Sequence, residues 1–384
     1  MALIPYSRQD INQSDIDAVV EVLKSSHLTQ GSQVPMLEDA IAGYCNAGYA
    51  VAVNSGTSAL HVACLALGLN EGDLLWTTPN TFVASANCAR YCGAEVDFVD
   101  IDPDTYNMST EALAEKLATA TRLPRVVVPV HFAGQPCEME RIHELANKYG
   151  FFILEDAAHG IGASYRNEPV GSCRYSDITV FSFHPVKIIT AGEGGMAVTN
   201  NPELAARMRQ FRSHGITNDP AMMSGNIHGP WHYQQIGLGF NYRMSDIQAA
   251  LCRSQLTRLD EFVSRRNELA QRYVPLLADL PLRLPRVGDG RRSSWHLFVI
   301  QLQLDRVGKS HRQIFEDLRA AGYGVQLHYM PLYFHPYYRA LGFSKGYCPE
   351  MEHYYARAFS IPLFPAMTDQ MQDDFVAIFS EVLK

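Results

Sequence analysis

From about Tyr49 to Asn200 the chain alternates short apolar runs with stretches of helical periodicity. The runs Tyr49–Val53, Val96–Ile101, Val126–Val130, Phe151–Leu154, Ile178–Phe183 and Met196–Thr199 predict strands. Runs this continuously apolar suit strands covered on both faces. After the first of them, Asn54-Ser55-Gly56-Thr57-Ser58 turns into a helix with Leu60, Cys64 and Leu67 at helical spacing and Gly68 as a stop signal. Strands separated by helices imply crossover connections, so the expected fold class is α/β with a mostly parallel sheet.

The pattern then changes. Residues His214 to Met244 are rich in Gly, Asn and Pro with little periodicity, and so long an irregular segment is often functional or at an interface. Asp246–Arg266 reads as a helix, and Asp279–Gly290 as a connector. Beyond it, Trp295–Leu304 and Gly324–Tyr329 predict strands. Ser310-His311-Arg312-Gln313 is a capping box opening a helix that buries Ile314, Leu318 and Ala321 and ends at Gly322. A last helix from Thr368 carries Met371, Phe375, Ile378, Phe379 and Val382 on one stripe. The expectation is a large domain over residues 1–250, with an N-terminal arm, and a smaller α+β domain over residues 251–384.

Composition narrows the function. The chain has 384 residues, 47% of them apolar, and a formal net charge of −8. At that length a core forms without disulfide or metal staples. The acidic balance argues against general nucleic-acid binding and against anionic membranes. Eight scattered cysteines form no C-x-x-C pair, as in a reduced cytoplasmic protein. Cys88 and Cys92, four apart, read as small buried side chains on one helix face. The N-terminus MALIPYSRQD has no apolar signal region and no run is long enough to span a membrane, so a cytoplasmic location and no metal site are expected.

Three short stretches carry chemistry. In Ser182-Phe183-His184-Pro185-Val186-Lys187, followed by Glu193-Gly194-Gly195, a lysine sits in an apolar loop between two strands. Such a lysine either snorkels its ammonium outward or, if dry, has a lowered pKa and becomes a nucleophile. In Phe151-Phe152-Ile153-Leu154-Glu155-Asp156, Asp156 ends a strand, where open α/β sheets bind ligands; the plainer alternative is an acidic cap on the next helix. The Gly56-Thr57-Ser58 turn is by itself an ordinary N-cap, yet helix-start N–H groups and hydroxyls also suit a phosphate. Together, a phosphate seat, a strand-end carboxylate and a loop lysine 31 residues later match what pyridoxal phosphate (PLP) requires.

On these motifs the chain resembles the fold-type I PLP-dependent sugar aminotransferases (DegT/DnrJ/EryC1/StrS type), which aminate nucleotide-linked keto sugars. Asn54-Ser55-Gly56-Thr57-Ser58-Ala59-Leu60, Pro79-Asn80-Thr81-Phe82-Val83-Ala84 and Glu155-Asp156-Ala157-Ala158-His159 carry the resemblance with the lysine loop. Leu28-Thr29-Gln30-Gly31 and Phe211-Arg212-Ser213-His214-Gly215 favour the branch that acts on a UDP-linked 4-keto-6-deoxy-N-acetyl sugar of the L-altrose series, in pseudaminic acid biosynthesis. The resemblance implies that Lys187 is the Schiff-base lysine and proton shuttle and that Asp156 holds the pyridinium nitrogen. It implies that Phe82 stacks on the cofactor ring, the plainer alternative being a core phenylalanine, and that Gly56, Thr57 and Ser182 bind its phosphate. His159 would orient Asp156 or touch the cofactor, or else is a satisfied core histidine. Asn241 and Arg243 would reach the cofactor across a homodimer, making the active sites shared; for Arg243 the alternative is a surface ion pair. Tyr6, Gln30, His328 and Tyr329 would lie near the sugar-nucleotide pocket, although Tyr6 equally could pin the N-terminal arm and His328 and Tyr329 equally could be strand residues.

The implied cycle is ping-pong, with L-glutamate as donor and the cofactor passing through its pyridoxamine phosphate form. A related dehydratase branch carries histidine in place of the lysine, which Lys187 disfavours. A nucleotide-sugar oxidoreductase would need a glycine-rich fingerprint after the first strand, and Gly160-Ile161-Gly162-Ala163-Ser164-Tyr165 is misplaced and incomplete. Other UDP-, dTDP- or GDP-linked keto sugars remain as alternative substrates, and a non-catalytic PLP-binding regulator as the alternative from another class.

Overall fold

Seven strands line up in the order Tyr49–Val53, Gly195–Thr199, Ile178–Ser182, Phe152–Asp156, Val126–Val128, Leu74–Thr77, Glu95–Phe98. The structure is a computed structural model describing residues 3–384. Gly195–Thr199 runs antiparallel to both its neighbours, and every other pairing is parallel. This is the expected α/β fold with a mixed, mostly parallel sheet. The helix Gly56–Ala66 is buried along most of its length, from Ser58 to Cys64 and again at Ala66, as its apolar sequence requires.

A second sheet joins Leu282–Arg283, Phe298–Leu302 and Ala358–Ile361, all antiparallel. The helices Leu259–Leu277, His311–Ala320 and Asp369–Val382 close over it, burying Tyr273, Ile314, Leu318, Phe375 and Phe379 in one core. The capping box at Ser310 and Gln313 forms as its spacing predicts. The N-terminal arm joins this C-terminal part, because Ile4–Pro5 pairs in parallel with Tyr323–Gly324.

Several expected elements change. The helix expected over Asp246–Arg266 is two helices, Asp246–Leu256 and Leu259–Leu277, with a break at Thr257 and Arg258. The strand expected over Gly324–Tyr329 is only the pair Tyr323–Gly324, matched to the two-residue strand Ile4–Pro5, followed by a single bridge from Gln326 to Ser360. The irregular segment 214–244 contains a small antiparallel pair, Ile216–Thr217 with Gln234–Gln235. Cys88 is buried, but Cys92 lies past the end of its helix and is half-buried. Among the described residues no helix is long and apolar enough to cross a membrane.

Candidate active site

Parallel pairing of Phe152–Asp156 with Ile178–Ser182 brings Asp156 and Ser182 to the same edge of the sheet. Ser182 in turn pairs with Gly195, and Gly195 with Val53, just before the turn that opens helix Gly56–Ala66. The three sequence motifs thus converge at the carboxyl ends of the strands. The approach is tight: a Cβ on Gly195 would collide with the Ser55 carbonyl, and one on Gly56 would lie 3.0 Å from the Ser182 Cβ. The Ser55 hydroxyl caps the helix by accepting from the Ser58 N–H at 3.1 Å, and the Ser58 hydroxyl donates to Asn54 at 2.7 Å. Capping therefore uses Ser55 and Ser58, while Gly56 and Thr57 bring first-turn N–H groups that no helical carbonyl can reach. That cradle suits a phosphate.

Lys187 sits in the loop between Ile178–Ser182 and Gly195–Thr199, half-buried. Its N–H donates to the His184 carbonyl at 2.9 Å. Burial pulls its amine down to about 8, and the Asp156 carboxylate partly offsets that pull. Lysine here is neither freely solvated nor paired in a salt bridge, so the outward-pointing alternative does not hold. Asp156 is buried; it accepts from the Ser85 hydroxyl at 2.6 Å and from the Ala158 N–H at 3.0 Å.

His159 is buried beside them, its Nε2 3.3 Å from the Tyr329 hydroxyl. Its Nδ1 has no partner, and the His296 ring lies 4.3 Å away between centroids. Burial, then the charges on Lys187 and His328, hold His159 well below the usual imidazole range. His328 is held by Ser360 at 2.8 Å, and burial followed by Lys187 lowers it to about 3. Both imidazoles are therefore neutral at physiological pH. Tyr6 packs edge-on against His328 at 4.9 Å, and the Tyr329 N–H donates to Asn80 at 3.3 Å. Phe82, within the Pro79–Ala84 motif, is 59% exposed and not a core phenylalanine, an apolar ring presented for stacking.

Lys187, Asp156, His159, His328 and Tyr329 thus form one group, with Tyr6 against it. Gln30, Asn241 and Arg243 do not join it within the described residues. Gln30 and Asn241 are exposed, while the carbonyl of Tyr242 accepts from the Asn54 N–H at 2.8 Å. Two residues at the site have no local sequence signal. Ser85 holds Asp156 from 71 positions away, and His296 packs against His159 with the rings tilted by 44°.

Glu155 points to the opposite face of the sheet, as strand alternation demands. There its carboxylate lies 2.6 Å from His131 Nε2, and the hydroxyls of Ser176 and Thr179 also donate to it. Burial works against both charges, but hydrogen bonds outweigh it: those with Cys137 and then Glu155 raise His131, and those from His131, Ser176 and Thr179 lower Glu155. The pair tethers the strand end from behind, since the His131 N–H also donates to the Asp156 carbonyl at 3.0 Å. Glu155→Gln should cost about 3 kcal/mol in urea unfolding, the usual scale for leaving one partner of a buried ion pair behind. A loss within experimental error would show that the pair is not charged.

The lowered Lys187 has its own stability signature. Between about pH 8 and 10.5 the unfolded chain binds a proton that the folded chain releases, so folding becomes more favourable as pH rises across that window. Below pH 8 the buried ammonium destabilises the cofactor-free protein throughout. Lys187→Met should therefore stabilise it at pH 7, by on the order of 2 kcal/mol, with the gain shrinking towards pH 10.5. A gain independent of pH in urea titrations would rule out the amine as its cause.

A reactive amine near neutrality, a strand-end carboxylate, helix-start N–H groups and an unpartnered buried imidazole nitrogen fit pyridoxal phosphate. Comparisons with known proteins agree. The DegT/DnrJ/EryC1/StrS aminotransferase family matches residues 9–380. The spore coat polysaccharide biosynthesis protein SpsC of Bacillus subtilis is 37% identical, covering 99% of this chain and 97% of that one. The UDP-4-amino-4,6-dideoxy-N-acetyl-beta-L-altrosamine transaminase of Campylobacter jejuni is 37% identical, covering 100% and 99%. Among solved structures, Helicobacter pylori PseC, an aminotransferase of pseudaminic acid biosynthesis, superposes with a TM-score of 0.90 at 29% identity over 99% of both chains.

Proposed function

The chain belongs to the DegT/DnrJ/EryC1/StrS aminotransferase family, and from that premise we propose that it transfers an amino group from L-glutamate to C4 of UDP-4-keto-6-deoxy-N-acetyl-beta-L-altrosamine, in pseudaminic acid biosynthesis. The enzyme is a PLP-dependent transaminase. The observation that carries the reading is the Lys187 amine, brought down to about 8 beside the strand-end Asp156. The names of the Campylobacter and Helicobacter relatives support the sugar. PLP, when bound, supplies a carbonyl carbon that exchanges amines, carries the amino group between the half-reactions, and offers a ring that accepts an electron pair.

The chain's own residues do the rest. Lys187 holds the cofactor and, once freed, takes the proton from the donor's α-carbon and returns one to C4 of the sugar. A neutral amine is needed for that, and burial provides it. Asp156 places a negative charge against the ring nitrogen, held in orientation by Ser85 and the Ala158 N–H. The N–H groups of Gly56 and Thr57 and the Ser182 hydroxyl bind the phosphate, and Phe82 covers one ring face. His159, kept neutral, contacts the cofactor without repelling its protonated nitrogen. Tyr6, Gln30, His328 and Tyr329 line the sugar-nucleotide pocket.

The working unit in this reading is a cytoplasmic homodimer in which Asn241 and Arg243 complete the partner's phosphate site. The exposed side chain of Asn241 and the exposed Trp231, Tyr233 and Leu238 nearby in sequence support a covered surface there. The large domain spans residues 1–250 and the small domain residues 251–384. The test is to incubate the PLP-loaded protein with glutamate and a panel of UDP-, dTDP- and GDP-linked 4-keto-6-deoxy sugars, following amine gain by mass spectrometry. Amination of the UDP-linked L-altrose-series sugar above all others is the expected result. Preference for another member reassigns the substrate, and no amination with cofactor bound rejects the transferase reading for the regulator.

A further inference from the structure

Arg266, in the helix Leu259–Leu277, is 0% exposed and meets no carboxylate among the described residues. Its Nη1 donates instead to three carbonyls: Leu363 at 2.9 Å, Trp295 at 3.2 Å and His296 at 3.3 Å. A buried guanidinium without a counter-charge is costly, so it is held for what it organises. Burial lowers it to about 9.

What it organises converges on the lysine loop. The Ser7 hydroxyl, in the N-terminal arm, donates to the carbonyl of Val186 at 3.0 Å, one residue before Lys187. Arg266 Nη2 approaches that same hydroxyl oxygen at 3.5 Å. A second link fixes the arm independently: the Leu363 N–H donates to the Tyr6 carbonyl at 3.0 Å, and Leu363 is also the residue Arg266 grips most closely. The arm is therefore strapped between the C-terminal part and the lysine loop, with Ser7 buried at the crossing. A cationic donor on the hydroxyl oxygen polarises its O–H and strengthens the bond it donates.

We propose that Ser7 is a positioning residue for Lys187, fixing the backbone before the reacting lysine and, through Arg266, tying that loop to the small-domain side of the molecule. The inference rests on the reading of Lys187 as the reacting amine. That amine must exchange between holding the cofactor and moving a proton, so its side chain has to be free while its backbone stays put. Misplacement of a reacting group by about 1 Å can cost as much as ~10²-fold in rate.

The test is Ser7→Ala, with two readouts. In the cofactor-free protein, amide hydrogen exchange in the 184–190 peptide should rise about tenfold, while strand Phe298–Leu302 keeps its wild-type protection. In the loaded enzyme, kcat should fall about tenfold with KM for both substrates unchanged, since only the reacting group moves. Unchanged exchange at 184–190, exchange that rises equally in Phe298–Leu302, or an unchanged kcat each overturns the proposal. Borohydride reduction of the wild-type holoenzyme tests the underlying reading separately. A pyridoxyl group anywhere but Lys187 defeats that reading, whereas the exchange result reports on the strap alone.

Discussion

Lys187→Ala should abolish transamination, with a fall of ~10⁴-fold or more, while the chain still folds. General acid–base catalysis alone contributes about 10²–10⁴-fold, and in the proposed mechanism this side chain also forms the covalent link. No other lysine can replace it: the groups against the site are His159, His328, Tyr329 and Asp156, none of them an amine. Loss of the lysine removes a half-buried cation, so the cofactor-free variant should unfold at a higher urea concentration at pH 7. Activity and stability then move in opposite directions, as at a site built for chemistry rather than packing. Steady-state rates and urea titrations on the same preparation check both. Residual turnover within tenfold of wild type would remove Lys187 from the mechanism.

Asp156→Asn should lower kcat by about 10³-fold. A carboxylate against a ring cation at about 3 Å is worth roughly 5 kcal/mol at an effective dielectric constant near 20, and the amide forfeits most of that. The substitution is nearly isosteric, and the amide oxygen can still accept from Ser85 or the Ala158 N–H, so misfolding does not mask the effect. A second signature separates charge from shape. The Asp156 charge supports the protonated form of Lys187, so in the cofactor-free variant Lys187 should titrate below its wild-type value of about 8. The pH dependence of reductive methylation at Lys187 reads this directly. An unchanged profile would mean that the two residues do not share one electrostatic site.

Much of the architecture is legible in the chain's apolar runs. The strand Tyr49–Val53 falls where its pattern puts it, five others shift by one to three residues at their ends, and the seventh, Leu74–Thr77, is not among the strands the apolar runs predict. Most of the sheet is buried on both faces, so its inner strands are largely apolar, and that signal is local. Where a segment's state depends on a distant partner, the pattern misleads. Gly324–Tyr329 looks like a strand, yet only Tyr323 and Gly324 find a ladder, because the strand opposite them, Ile4–Pro5, is two residues long, and beyond it only Gln326 makes a single bridge, to Ser360. Asp246–Arg266 looks like one helix because both halves are amphipathic, and nothing local marks the break at Thr257 and Arg258.

The same division holds at the site. Lys187, Asp156 and the Gly56–Thr57 turn stand in motifs whose residue types already state a chemistry, so the order of amino acids determines the family and the cofactor and singles out the amine proposed to react. Only folding decides that Ser85 orients Asp156, that His296 packs against His159, and that Glu155 turns away to His131. Only folding joins Ser7 to Val186 and to Arg266 across 179 and 259 positions. Motifs survive in the one-dimensional order because they act within a turn or a strand end. The protonation states that make them work come from burial and from partners far along the chain, which exist only once the layers have packed.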